Sequence, residues 1–220
     1  MSSPSGPGLP PATVPSFGVH RLPRGTILHR VFTMARGRTA TTFNPGLGSA
    51  TRFAPLQAAG PGGPYPIPTL YAGLSFEAAV FETVFRDIAP EPLSRRVREA
   101  TFAGYAHAEL TVQRDLELGP LFNQNLKLLG QTRLSMIECH GAAAYRETAR
   151  WAEVIHRCHA GLQGLTWMSR QQDSELAVLL FGDRVGASDL AGGTVTPLGT
   201  GAGRRRVSDM AVRFRVDIIP

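Results

Sequence analysis

The sequence predicts a single α+β domain, with mixed or antiparallel sheets flanked by helices. Three observations lead there. Of 220 residues, 43% are hydrophobic and 18% charged, ordinary for a globular chain with one core and short for two. Short β-rich runs and two helical stretches follow one another irregularly, which favours α+β over a regular βαβ alternation. No internal repeat is present, so solenoid and propeller folds are set aside.

The elements follow in order. Residues 1–22 are rich in Ser, Pro and Gly and poor in large apolar groups, so they read as a flexible tail that cannot offset its ordering entropy. The domain proper spans 23–220. It begins with the β-rich run Thr26-Ile27-Leu28-His29-Arg30-Val31-Phe32. The stretch Thr41 to Pro55 holds Thr51-Arg52-Phe53, and Pro61 to Pro68 is turn-forming. Thr69-Leu70-Tyr71-Ala72 reads as a strand, and Ser75 as the N-cap of a helix from Phe76 to about Asp87, stopped by Pro90 and Pro92. Phe102 to Leu118 contains strands, including Ala108 to Val112. Ala142 to His159 is a second helix, with Tyr145, Ala149, Ala152, Ile155 and His159 on one face and Gly161 as its stop. Leu165 to Ser169 and Leu176 to Phe181 are strand candidates. Gly186 to Gly203 reads as a Gly-rich loop, and Val207 to Ile219 as a closing strand in which Val212, Phe214 and Val216 alternate with arginines.

Composition narrows the function classes. No apolar run reaches the roughly 18 residues of a membrane span, and no basic-then-apolar leader opens the chain. Cys139 and Cys158 cannot form a disulfide framework and suit a reducing compartment, so a cytoplasmic protein is expected. The net charge is +6, and Lys127 is the one lysine. Arginine forks recognise phosphate and carboxylate in two-point geometry, which leaves nucleic acids, acidic surfaces and phosphate-bearing small molecules as partners.

Several residues could carry chemistry. Glu82 falls in a helix apolar around most of its circumference, where a carboxylate is costly unless paired or used. Its ordinary partner would be Arg86 one turn on; its functional role would be to face developing positive charge in a cleft. Arg30 sits inside an apolar strand and Arg52 precedes Phe53, and each would ordinarily point to solvent. Tyr71 would ordinarily be core, and Ser169 a turn or cap residue. Glu138, Cys139, His140, His156, Cys158 and His159 cluster in sequence without the spacing of a zinc site, so no metal is expected. Gly199 to Gly203 lacks both phosphate-loop and dinucleotide-fold signatures and reads as mobile. Arg204-Arg205-Arg206, with Arg213, could touch nucleic acid, but no interleaved aromatics accompany them.

Taken together these pieces resemble the RES domain, the toxin half of a bacterial toxin–antitoxin system named for an arginine, a glutamate and a serine. The resemblance rests on His29-Arg30-Val31, on Arg52-Phe53, and on Leu70-Tyr71-Ala72 leading to Ser75, Glu77-Ala78 and Glu82. Gly164-Leu165-Thr166-Trp167-Met168-Ser169-Arg170 and Glu175 to Phe181 complete it. The sequence departs from the pattern in Phe53-Ala54-Pro55, where an Asn after the Phe is common; Phe43-Asn44-Pro45 carries that order earlier. The stretch between Glu82 and Ser169 is also long for the family.

The resemblance implies an ADP-ribosyltransferase-like fold of the diphtheria-toxin kind. It implies cleavage of NAD⁺ at the nicotinamide–ribose bond, with phosphate or water as acceptor, NAD⁺ being substrate and no cofactor being needed. By the same resemblance Glu82, Arg30 and Ser169 are the catalytic set. Arg30 and Arg52 would hold phosphate groups, Tyr71 would pack on nicotinamide or its ribose, and an Xre-type helix-turn-helix antitoxin would be the partner. Two alternatives remain at this point: an ADP-ribosyltransferase acting on protein, and a non-enzymatic basic module that binds nucleic acid.

Overall fold

The computed structural model describes residues 6–88, 95–172 and 174–220. Strands β1 (His20–Leu22) and β2 (Ile27–Thr33) come first. A long loop leads to a hairpin of β3 (Leu56–Ala58) and β4 (Tyr65–Ile67), and β5 (Thr69–Gly73) feeds helix α1 (Phe76–Phe81). Next come β6 (Arg96–Arg98), α2 (Ala100–Ala103), β7 (Tyr105–Val112), β8 (Leu116–Pro120) and α3 (Asn123–Leu128). The long helix α4 (Ala142–Cys158), strands β9 (Gly164–Met168), β10 (Leu176–Phe181) and β11 (Leu190–Pro197), helix α5 (Gly201–Arg213) and β12 (Asp217–Ile219) complete the chain.

Eight strands form one sheet in the order β1-β8-β9-β10-β5-β2-β7-β11. It is antiparallel except where β8 runs beside β9. The sheet's central strands are the β-branched, leucine-rich runs that suit a half-buried pleat. Two layers of helix cover it. The apolar stripe of α4 buries Tyr145, Ala149, Ala152 and Ile155, the last three in one cluster with Phe53, Trp167 and Phe181. On the other side α1 and α5 cluster with Val31, Phe85 and Phe102. A third cluster (Leu28, Phe32, Leu70, Leu110, Leu180) comes almost wholly from strands, so the sheet curls over its own side chains. Among the described residues no helix is long and apolar enough to cross a membrane.

Five expectations need correction. Helix α1 stops at Phe81 rather than near Asp87, and the Phe85 N–H reaches back to Val80 O at 2.9 Å. The β-branched pair Thr83-Val84 disfavours another turn, and a wider turn lets Phe81 and Phe85 enter the same cluster, rings 6.0 Å apart. Pro90 and Pro92, the expected helix stop, lie outside the described residues. The Gly-rich stretch is not a loop: Leu190–Pro197 pairs with β7 as an edge strand, its register broken between Gly192 and Val195. Such a bulge is where glycine is tolerated in a strand.

The expected closing strand is mostly helix. Val207, Met210 and Ala211 repeat at helical spacing and are buried, whereas Val212 is 77% exposed. Gly199 to Gly203 opens this helix rather than forming a mobile loop. A Cβ at Gly203 would lie 2.0 Å from Pro197 O, so only glycine permits that approach. Finally, residues 6–22, read as most of a flexible tail, lie against the domain. Val14 and Phe17 pack on the α4 cluster, Trp151 Nε1 donates to Gly8 O at 3.1 Å, and His20–Leu22 pairs with Leu116–Leu118. Two apolar side chains and a few backbone carbonyls suffice to dock an otherwise featureless segment.

Candidate active site

Glu82 is placed by the tight join between β5 and α1. Ser75 caps the helix, its side chain accepting from the Ala78 N–H at 3.1 Å. A Cβ on Gly73 would meet Ala78 and Ala79 at 2.8 Å, so glycine there lets the helix sit directly on the strand. Glu82 is then the C-cap, its N–H still bonded to Ala78 O at 2.9 Å. The early end of the helix swings the carboxylate inward, away from Arg86, which pairs instead with Asp87. The i to i+4 pair considered from sequence is therefore not formed.

Three donors hold that carboxylate. Ser169 Oγ donates to Oε1 at 2.7 Å, the Arg170 N–H to the same oxygen at 3.3 Å, and Arg52 Nη1 to Oε2 at 2.9 Å. The Arg52–Glu82 side chains are 8% and 7% exposed, a buried ion pair whose attraction is strengthened by its dry surroundings. Burial is the largest influence on Arg52 and would lower it, but the Glu82 carboxylate together with Tyr145, Cys139 and Tyr71 outweighs it and holds the guanidinium above its ordinary pKa.

The Arg52 segment is braced from two sides. The Phe53 N–H donates to the Tyr71 hydroxyl at 3.0 Å, and Thr51 Oγ1 shares a hydrogen bond with that hydroxyl at 2.9 Å. Burial pushes Tyr71 up to about 12, so the phenol stays protonated. From α4, Thr148 Oγ1 donates to Arg52 O, and the Tyr145 ring lies 6.0 Å from the guanidinium. Tyr71, expected to pack on a substrate ring, thus first serves to fix the arginine beside Glu82.

Arg30 is not solvent-directed. It is buried, and its two terminal nitrogens donate to Ala40 O and Thr42 O. Burial and then Arg38 lower its pKa to about 10, so it remains charged near neutrality. Among the described residues, no carboxylate acts on it. Arg38 stands next to it, reaching Asn44 Oδ1 at 3.5 Å. Two guanidinium groups close together without an acid between them make a site for an anion.

Both groups line one cavity of about 190 Å³, whose walls include Arg30, Arg38, Asn44, Arg52, Tyr71 and Glu82. Ser169 stands behind Glu82 rather than on the wall. Of the five residues singled out from sequence, Arg30, Arg52, Tyr71 and Glu82 line this cavity and Ser169 binds Glu82 from behind. Sequence reasoning did not single out Arg38 or Arg170. Asn44 was noted only as a displaced piece of a pattern, and that Phe43-Asn44-Pro45 order is the signal that could have drawn attention to this wall. The Asn44 backbone is bridged to Thr69 on β5 at 2.7 and 2.8 Å. The histidines and cysteines of α4 and the turn before it do not line the cavity.

Comparison with known proteins identifies the fold and the family. No curated protein sequence matches the chain. A chain of the crystal structure of the M. tuberculosis MbcT–MbcA toxin–antitoxin complex superposes with a TM-score of 0.55, covering 80% of this chain and 85% of that one. At 15% identity this likeness speaks for the fold. The RES domain model matches residues 27–196, from the strand that carries Arg30 through Glu82 and Ser169 to the edge strand, and the chain belongs to the RES domain family.

Proposed function

We propose that this chain is a toxin that cleaves NAD⁺ at the nicotinamide–ribose bond. The observation that carries the reading is that one cavity is lined both by the fixed Glu82 carboxylate and by the Arg30–Arg38 pair, which has no carboxylate partner among the described residues. NAD⁺ has matching polarity: a ribose that becomes cationic as nicotinamide leaves, and a pyrophosphate. The cavity is smaller than the roughly 300–1,000 Å³ of pockets that enclose a whole drug-sized ligand, so it suits the nicotinamide–ribose end while the adenosine extends outward.

The reaction balances simply. The C1′–N bond breaks with its electron pair passing to the ring nitrogen, giving neutral nicotinamide and an oxocarbenium-like sugar. Water then adds to C1′ and releases a proton, yielding ADP-ribose, or phosphate adds and yields the sugar 1-phosphate. Glu82 stabilises the positive sugar, and Ser169 with Arg52 holds Glu82 in place, an electrostatic contribution that needs no reorganisation during the reaction. Arg38, aided by Arg30, receives the phosphates. The similar structure is that of a toxin–antitoxin complex, which supports an antitoxin as partner; that it is of the helix-turn-helix kind is what the family resemblance implies.

The test is to incubate the purified chain with NAD⁺, with and without phosphate, and identify products by mass. Release of nicotinamide with ADP-ribose or its phosphate is expected. Label from NAD⁺ appearing on protein would replace cleavage by protein-directed transfer, and no nicotinamide release would refute the reading. Binding to DNA is disfavoured because Arg204 pairs with Glu99, Arg213 pairs with Glu77 and Arg206 lies 3.9 Å over the Phe76 ring.

A further inference from the structure

We propose that His29, His107 and Glu109 form a binding site for a divalent transition metal, zinc by the chemistry of its donors. The site is separate from the cavity; none of the three lines it. Pairing of β2 with β7 places His29 directly opposite Glu109, with His107 two residues along on the same face. His29 Nδ1 lies 3.0 Å from His107 Nε2 and 3.8 Å from Glu109 Oε1, and the three donor atoms all fall within 4.8 Å of one another.

Those separations fit a metal. Tetrahedral zinc with bonds of about 2.0–2.1 Å sets its donors roughly 3.3 Å apart. The two shorter edges here bracket that value, and the Glu109 side chain, 54% exposed, is free to swing in and close the third. The two imidazoles stand on paired strands of the main sheet, their ring centres 5.2 Å apart and their planes 14° from parallel, so the backbones are already placed and the rings need only turn their facing nitrogens onto the ion. His107 is buried, forming the floor, while His29 is 16% exposed and opens the site to solvent. Three protein ligands leave the fourth position for water, the arrangement of an open site rather than a closed structural one.

Proton accounting permits this without cost in charge. In the metal-free pair one ring nitrogen donates its hydrogen to the other. On binding, each ring takes the tautomer with its hydrogen on the far nitrogen (Nε2 of His29, Nδ1 of His107), and both lone pairs face the ion. Burial, then Arg206, keeps His107 at about 3, so its ring is neutral and available. The surrounding charges are Glu77, paired with Arg213, Glu175, and Arg206 over Phe76; of these, Arg206 opposes a cation.

The experiment uses the full chain without an affinity tag, titrated with Zn²⁺ by calorimetry and with Co²⁺ by visible absorption. One equivalent should bind, with a Co²⁺ band typical of low coordination number. Glu109→Gln and His29→Ala, both at accessible positions, should each weaken binding at least about tenfold with circular dichroism unchanged. Arg206→Gln should tighten it severalfold, an effect a merely structural role for the cluster would not produce. No binding at millimolar ion, or binding indifferent to His29→Ala and Glu109→Gln, would overturn the proposal. Neither result bears on NAD⁺ cleavage, which is read from nicotinamide release.

Discussion

Replacing Glu82 by Gln tests the electrostatics of the cavity, and the structure says that it cannot be a silent change in stability. The carboxylate neutralises a guanidinium that is itself buried, and Arg52 Nε has no hydrogen-bond partner among the described residues. Gln keeps an oxygen for Ser169 and Arg170 but turns an amide N–H₂ toward Arg52 Nη1. Breaking a buried pair from one side costs about 3–5 kcal/mol. For a domain of this size, each kcal/mol moves Tm by about 2–4 °C, so E82Q should melt roughly 6–20 °C below wild type. Its rate of nicotinamide release should fall at least about 10²-fold. The double variant R52M/E82Q separates the two effects, since it removes both charges and should recover most of the lost Tm while staying inactive. Calorimetry and a nicotinamide-release assay on all three proteins decide the matter. E82Q turning over at the wild-type rate, or the double variant regaining activity with its stability, would refute the reasoning.

Other perturbations follow from the same geometry. Arg38→Ala removes a partly exposed cation from the phosphate end and leaves the core alone. KM for NAD⁺ should rise about tenfold to a hundredfold, the value of one charge-assisted hydrogen bond, with kcat and Tm little changed; steady-state kinetics would show an unchanged KM if the orientation is wrong. Tyr71→Phe strands the buried Phe53 N–H, while the Thr51 hydroxyl keeps its bond to Ala54 O, so it should cost about 1–3 kcal/mol by denaturant titration and slow turnover by loosening Arg52. Gly203→Ala drives a methyl into the Pro197 carbonyl and should cost about 1–3 kcal/mol with no direct effect on KM. A variant as stable as wild type would mean that α5 has room to shift.

How far sequence reasoning reached depended on whether the decisive signal was local. Glu82 announced itself because a carboxylate in an apolar helix violates a local rule, and Ser75, Ala142 to Cys158 and the β5 run carried their own caps and periodicities. The last segment misled because two periods fit it: Val212, Phe214 and Val216 make a strand pattern, while Val207, Met210, Ala211 and Phe214 make a helical one. Phe214 belongs to both, and tertiary packing selects the helix. Arg38 was hidden for a different reason. It follows a short 3-10 turn at Ala35–Gly37 in a polar stretch, and only its proximity to Arg30, whose fork holds Ala40 and Thr42, gives it meaning. His29 and His107 are 78 residues apart in sequence and meet through strand register, which no local pattern encodes.

The hydrogen bonds to Glu82 also bear on which kind of catalyst it can be. A carboxylate has about four lone-pair sites. Oε1 accepts from Ser169 and Arg170, and Oε2 accepts from Arg52, which leaves one site on Oε2, facing the cavity. One site suffices to accept a ribose hydroxyl and to place negative charge near the sugar. It is a poor arrangement for a nucleophile, because three donors, one of them a buried cation, stabilise the ionised group and draw charge from it. On the proposed reading, cleavage therefore passes through a sugar cation captured directly by water or phosphate, and no ADP-ribosyl ester forms on Glu82. Rapid quenching of the enzyme during turnover, followed by intact-mass analysis, should show the unmodified chain at every time point. A transient adduct that peptide mapping assigned to Glu82 would make the carboxylate a nucleophile, and the three-donor clamp would then need another explanation.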